Sequence, residues 1–434
     1  MAGTALGAVQ MQESRQKKSY AGYKLIRTEP LNNMEAVETL MTLDGHNGVH
    51  FWTFPKQNLT TDILTSPGTE MHVRDLLNNL GLSHNVVIED VDELLKTENP
   101  DLPEGSLDPK QGAGHRMTWQ KYHRYADIVN WATFLRDRDP MVKVESIGKT
   151  HEKRDIIMLK ISKSGGGSKP AIWIDGGMHA REWISPATVT YIANKLVTNN
   201  KRQYDDLLEM FDWYIVPVVN ADGYEFTHTG DRFWRKTRSG TGNIYCKKGV
   251  DPNRNWDFKW GSSGSSKDPC SDIYAGPRAF SESETQSMSQ KILQLRSQLK
   301  MYLTFHSYSQ LWLIPYGYSK YEKPADYNEL VRLASQGKAA LERTYGTRYQ
   351  MGTAPDLLYE AAGGSDDWAK GVAGIKYSYC LELRDTGRYG FALPASQIVP
   401  TGEETMNGVA ALARSLATKL GLKAAPKTDL LEEY

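Results

Sequence analysis

His179, Arg181 and Glu182 stand almost side by side in DGGMHAREW, directly after the apolar run AIWI. A His-x-x-Glu pair offers an imidazole nitrogen and a carboxylate oxygen to a divalent cation. By itself such a pair is common and suits a solvated loop equally well. His306 ends a second apolar run, MYLTFH, and is followed by Ser307 and Tyr308. Two imidazoles and one carboxylate leave the fourth position of a tetrahedral zinc ion open, the arrangement of a catalytic site and not of a structural one. A histidine satisfied within the core is the alternative for His306. Glu382 lies late in a third apolar run, YSYCLEL, where a carboxylate with no cation beside it is costly to bury.

These residues sit where strands end. The near-continuous apolar runs DIIMLKI, AIWID, WYIVPVV, MYLTFHS and YSYCLELRD alternate with helical stretches, which predicts a large, mostly parallel sheet covered by helices on both faces. In such sheets the binding crevice lies beyond the carboxyl ends of the strands, so His179, Glu182, His306 and Glu382 would reach one edge. Gly176 and Gly177 let the chain turn tightly off AIWID. In the helix that follows, Val189, Ile192, Ala193, Leu196 and Val197 share a face, with Ser185 as its cap and Pro186 in its first turn. The region from Asn220 to Phe280, dense in Gly, Ser, Asn and Arg, is expected outside the core and to carry function.

The first hundred residues differ. Between Tyr23 and Asn99 the pattern reads β-α-β-β-α-β, a ferredoxin-like α+β unit, with a short helix, VDELLKTEN, at its end. Tyr20 to Pro100 carries twelve Asp and Glu against five Lys and Arg, a net of −7 that leaves +7 on the rest of a neutral chain. An acidic unit lying against a more basic body is one reading of this asymmetry; a merely soluble small domain is the other. The stretch NPDLPEGSLDPKQGAGHR then reads as an exposed connector open to proteolysis. The expected division is residues 1–19 as an N-terminal segment, 20–100 as the small unit, 101–116 as connector, 117–420 as the main domain and 421–434 as a tail.

With 434 residues, 40% of them apolar, the chain can fill a large core. Its 52 basic and 52 acidic residues create no overall field to gather nucleic acid, and no apolar run is long enough to span a membrane. Three cysteines allow at most one intrachain pair. Cys246 and Cys270 flank a polar loop that a disulfide would restrain, which would point to secretion, while Cys380 in YSYCLEL reads as a small buried hydrophobe. The start, MAGTALGAVQ, is similar to the last part of a secretory leader, and Asn58-Leu59-Thr60 is a glycosylation sequon.

HAREW, RKTRS, DPNRNWD, FHSYSQ, GGSDDW and ELRDTGRYGF occur in the order and spacing of the pancreatic-type zinc carboxypeptidases, from about Arg116 to Leu420. The chain resembles a procarboxypeptidase of the A/B group, most closely the B type. That resemblance implies one zinc ion held by His179, Glu182 and His306, Glu382 as general base, and Arg235 as the cation that stabilises the developing oxyanion. It implies that Asn253 and Arg254 clamp the substrate's terminal carboxylate, that Tyr359 closes over the bound residue, and that Arg181 and Tyr308 contact the peptide further up.

Asp366, the first aspartate of GGSDDW, takes the floor position of the specificity pocket, where A-type enzymes carry an apolar residue and B-type enzymes an aspartate. The implied activity is release of C-terminal Lys or Arg; A-type or mixed specificity is the alternative. Gly317, where the B-type pattern has Ser, and Cys380, near the pocket base, depart from the pattern. The small unit would be the inhibitory propiece of a secreted, monomeric, digestive zymogen, released when a trypsin-like protease cuts after Arg116 or Lys110. No nucleic-acid or membrane partner is implied.

Overall fold

The structure is a computed structural model and describes residues 17–101, 114–163, 169–198, 202–246 and 248–423. Lys110, the leader-like start and most of the tail lie outside the described residues. In the N-terminal unit β1 (Lys24–Thr28), α1 (Met34–Met41), β2 (Val49–Phe51), β3 (Asp62–Thr65), α2 (Glu70–Asn79) and β4 (His84–Ile88) give the expected β-α-β-β-α-β order, followed by α3 (Val91–Glu98). Their antiparallel sheet runs β2-β3-β1-β4. The helix starts are legible chemically: Asn33 accepts the Ala36 N–H at 2.8 Å, and Asp90 accepts those of Asp92 and Glu93.

The body continues through α4 (Tyr125–Arg138), β5 (Val142–Lys149), β6 (Asp155–Ile161), β7 (Ala171–Asp175), α5 (Ile184–Thr198), α6 (Asp205–Met210), β8 (Asp212–Val216), α7 (Ala221–Thr229) and α8 (Ser283–Leu295). It is completed by β9 (Leu299–Ser307), β10 (Leu311–Leu313), α9 (Tyr327–Tyr345), β11 (Gln350–Gly352), α10 (Ala354–Leu357), α11 (Ser365–Gly371), β12 (Tyr377–Leu383) and α12 (Ile398–Lys419). Eight strands form one sheet in the order β11-β10-β12-β9-β7-β8-β6-β5. Its centre, β12-β9-β7-β8, is parallel, and antiparallel strands flank it on both sides. One apolar cluster joins one sheet face to α4, α5, α9 and α12; a second covers the other face with Met288 and Ile292 of α8 and Trp368 of α11.

Two expectations need correcting. Ser185 does not cap α5, because the helix already begins at Ile184; its hydroxyl instead accepts the Gly177 N–H at 2.9 Å and donates to the Phe305 carbonyl at 2.6 Å. It thereby ties the turn after β7 to the end of β9. The polar region 220–280 is not outside the core: Asn220, Asp222, Arg232, Arg235, Asp251 and Asn255 are buried and bonded to one another or to backbone. Paired polar groups can be buried where isolated ones cannot, and composition does not reveal the pairing.

Candidate metal centre and substrate recess

Strand register explains how distant segments meet. Asp175 pairs with Thr304 across β7 and β9, and His306 with Glu382 across β9 and β12. Gly177, at φ 63°, turns the chain off β7, and a Cβ there would lie 3.1 Å from the Val218 Cα, so a side chain in the turn that presents His179 and Glu182 would be strained by its backbone angle and crowded against the continuation of β8.

His179 Nδ1 lies 2.7 Å from Glu182 Oε1, His306 Nδ1 lies 3.0 Å from Glu182 Oε2, and the two Nδ1 atoms are 3.1 Å apart. All three residues are buried. Two ring nitrogens that face each other this closely need a cation or proton between their lone pairs. Ligands about 2 Å from a tetrahedral zinc stand roughly 3.3 Å apart, so the donor set fits that ion. His179 Nε2 contacts Asp251 Oδ1 at 3.0 Å, which fixes Nε2 as the protonated nitrogen and leaves Nδ1 for a metal. Burial works against charge on Glu182, yet the two imidazoles hold its carboxyl well below the usual range.

Asp251 was not singled out by sequence, although it opens DPNRNWD. It accepts Arg235 Nε and Nη2 at 3.1 and 2.8 Å on one oxygen, and His179 with the Asn253 N–H on the other. Against the cost of burial, Arg235 and His179 keep its carboxyl far down, and Asp251 keeps the buried guanidinium charged. One carboxylate thus positions a metal ligand and the expected oxyanion cation together.

A recess beside the three ligands is lined by Arg235, Asn253, Arg254, Tyr308, Tyr359, Asp366 and Glu382. Burial, with Glu182 nearby, pushes the Glu382 carboxyl up to about 8, while His306 and Arg235 pull it down. Arg254 is held by the Gly264 and Asn253 carbonyls at 2.7 and 3.0 Å. Asn253 Oδ1 accepts the Ser365 N–H, which leaves its amide N–H donors for the recess. Asp366 forms no ion pair with a cation among the described residues, and burial raises its carboxyl. Gly317, Gly364 and Cys380 leave space around it. Asp367 turns away and accepts the Gly317 and Tyr318 N–H groups. Cys380 is the free thiol and Cys246 pairs with Cys270; Cys380 belongs to the recess wall as well as the core.

Arg181 lies outside that lining and faces the N-terminal unit, donating from Nη2 to the Phe51 carbonyl at 3.1 Å. Tyr308 donates to Asp62 at 2.7 Å, and Tyr359 stacks edge-on against Phe54 at 5.6 Å. Trp52 and Thr53 line the recess itself. The N-terminal unit therefore covers the crevice, with main-chain and side-chain groups on the residues expected to hold a peptide.

An α/β sheet that delivers two histidines, a glutamate and a recess to its strand ends fits a mononuclear zinc hydrolase. The zinc carboxypeptidase family profile matches residues 128–408, and the carboxypeptidase activation peptide profile matches residues 27–98. A carboxypeptidase B of Astacus astacus is 52% identical over 68% of this chain and 97% of its own length. Carboxypeptidase A2 of Mus musculus is 39% identical over 91% of this chain and 93% of its own. The crystal structure of thrombin activatable fibrinolysis inhibitor superposes with a TM-score of 0.82 at 32% identity, covering 91% of this chain and 98% of that one. The chain belongs to the zinc carboxypeptidase family and carries that family's activation peptide, so it is a zymogen of a zinc metallocarboxypeptidase.

Proposed function

We propose that the released enzyme removes C-terminal Lys or Arg from peptides and proteins, and that it works outside the cell, in digestion, as a monomer. The observation that carries this reading is the buried Asp366 carboxyl at the recess, with the small residues Gly317, Gly364 and Cys380 also in its wall and no ion pair to a cation among the described residues. A lysine or arginine side chain entering the recess would pair with it; at about 4 Å and intermediate dielectric the gain before desolvation is about 4 kcal/mol, up to roughly a thousandfold in preference. Gly317 and the A2 relative favour a second, mixed-specificity reading, because a pocket without the serine also admits apolar side chains.

Bound zinc supplies Lewis acidity toward the scissile carbonyl and lowers the pKa of water. In the proposed mechanism Asn253 and Arg254 grip the terminal carboxylate and Tyr359 closes over the last residue. Glu382 takes a proton from the attacking water and returns it to the leaving amine, for which a carboxyl raised by burial is suited. Arg235, locked by Asp251, faces the oxygen on which charge develops and needs no reorganisation to do so. Arg181 and Tyr308, once uncovered, bind the upstream peptide.

We assign residues 20–100 to the propiece, 101–116 to the connector and 117–420 to the catalytic domain, with Arg116, exposed at the connector's end, as the point cut by a trypsin-like protease. The test is release of C-terminal Arg, Lys and Phe from matched peptides before and after trypsin treatment, with and without a chelator. Faster release of Phe than of Arg would overturn the specificity, and equal activity before and after the cut would overturn the zymogen assignment.

A further inference from the structure

The two histidines of the metal centre are held from behind in different ways. His179 meets Asp251 directly, whereas His306 Nε2 lies 3.3 Å from the Thr304 hydroxyl, which in turn is 2.6 Å from Asp175 Oδ1. Thr304 precedes His306 by two residues on β9, so both side chains point to one side of the strand, and Asp175 is Thr304's direct neighbour on β7. Asp175 and Thr304 are both fully buried, and Trp173 Nε1 donates to the other Asp175 oxygen at 2.8 Å.

We propose that Asp175 and Thr304 are positioning residues that fix the tautomer of His306 and thereby set the affinity for zinc. A hydroxyl has one hydrogen to give. If Thr304 gives it to an ionised Asp175, its oxygen accepts from His306, the proton sits on Nε2, and the Nδ1 lone pair faces Glu182 and His179, where a metal would be bound. If Asp175 donates instead, the Thr304 hydrogen turns to Nε2, the ring proton moves to Nδ1, and that nitrogen can no longer ligate. The indole N–H on Oδ2 can only donate, so Oδ2 accepts in either case and the sense of the Oδ1–Thr304 hydrogen bond alone decides which nitrogen of His306 carries the proton. Outer partners of metal-bound histidines generally contribute 10- to 100-fold in affinity or activity.

The inference rests on the zinc reading of His306, and a direct ligand variant separates the two. Thr304→Val keeps the shape and removes the hydroxyl; Thr304→Ser keeps the hydroxyl. Zinc affinity is measured by competition with a chromophoric chelator, and thermal unfolding is followed for the metal-free and zinc-loaded full chain. The expected result is that Thr304→Val binds zinc about 10- to 100-fold more weakly, Thr304→Ser binds nearly as wild type, and Asp175→Asn follows the valine variant. An equal loss of stability in the metal-free and loaded forms, with zinc affinity unchanged in Thr304→Val, would overturn the proposal and leave Thr304 a packing residue. Unchanged zinc affinity in His306→Ala would instead remove the metal reading itself. Because Thr304→Ser alters packing more than Thr304→Val but retains the hydroxyl, rescue by serine distinguishes positioning from filling space.

Discussion

The metal centre and the seam between propiece and body are both buried and both charged, but they are built on opposite plans. At the centre, each charged group answers to several others: Asp251 holds Arg235 and His179, and Glu182 lies between two imidazoles, with His179 and Glu182 just past the end of β7, His306 near the end of neighbouring β9, and Arg235 and Asp251 in the long segment between α7 and α8. At the seam, contacts are largely independent of one another. Arg232 grips Glu98 and stacks over Trp183, Asp62 takes Arg27 and Tyr308, and Lys56 reaches the Pro355 carbonyl. Between them an apolar cluster joins Tyr20, Leu25 and Trp52 to Phe233, Tyr308 and Phe391. A network fails as a unit when one member is removed, whereas separate contacts fail one at a time. A centre built to be permanent and a seam built to be undone are what a zymogen needs.

The largest expected difference comes from the centre. Glu382→Gln in the trypsin-treated enzyme should lower kcat by about a thousandfold or more while zinc content, read by metal analysis, stays at one per chain. Retained turnover would remove Glu382 as the base. Chelation should abolish activity, and re-addition of zinc should restore it. The same glutamine variant should leave the uncut protein as stable as wild type within about 1 kcal/mol, because an unpaired buried carboxylate is exchanged for a neutral amide.

Intermediate effects are expected where the two regions touch. Arg181 and Tyr308 now serve the propiece, which occupies the positions proposed for the upstream peptide. Asp62→Asn leaves Arg27 with a weaker partner and Tyr308 with a neutral one, a loss of about 1–3 kcal/mol in docking. The uncut protein should then turn over peptide substrates several-fold to about a hundredfold faster, measured against the same variant after trypsin. If its activity before the cut rose all the way to that of the cut enzyme, the seam would behave as a network like the centre, and the contrast between the regions would fail; activity unchanged from wild type would show that the Asp62 contacts contribute nothing to closure.

Much of this was legible in the sequence, for physical reasons that can be named. The N-terminal unit could be read nearly element by element because its strands and helices are short and bounded by turns; side-chain caps at Asn33 and Asp90 mark two of its three helices. The ligands could be read because strands as apolar as AIWID and MYLTF have no use for a polar residue at their ends unless it works there. Asp251, Thr304 and Asp175 were not read. Their roles depend on partners up to 129 residues away, and an aspartate in a polar turn or a threonine in a strand is unremarkable until the sheet register brings its partner beside it. Three strands were missed: β5, at one edge, is largely exposed, β11, at the other edge, has three residues, and β10 beside it, though buried and apolar, is only the three residues LWL.

The smallest expected effect is the pH response of the seam, and it runs against the usual behaviour of an ion pair. Glu98 accepts Arg232 Nε at 2.9 Å, but burial outweighs the guanidinium and raises the carboxyl above its ordinary value. A group whose bound-state pKa is raised favours association at low pH and loses that contribution as pH rises through the raised value. Acidification should therefore not release the cut propiece through Glu98; its contribution should weaken toward neutrality. Glu98→Gln mimics the protonated form, so it should bind the cut propiece about as well as wild type at low pH and no worse at neutral pH, with a flatter dependence on pH across that interval. Size-exclusion of the trypsin-cut complex between pH 4 and 7.5 measures this. Release of the wild-type propiece on acidification but not of the glutamine variant would show that the ion pair, and not burial, governs this contact, and the seam would then share the electrostatic logic of the centre.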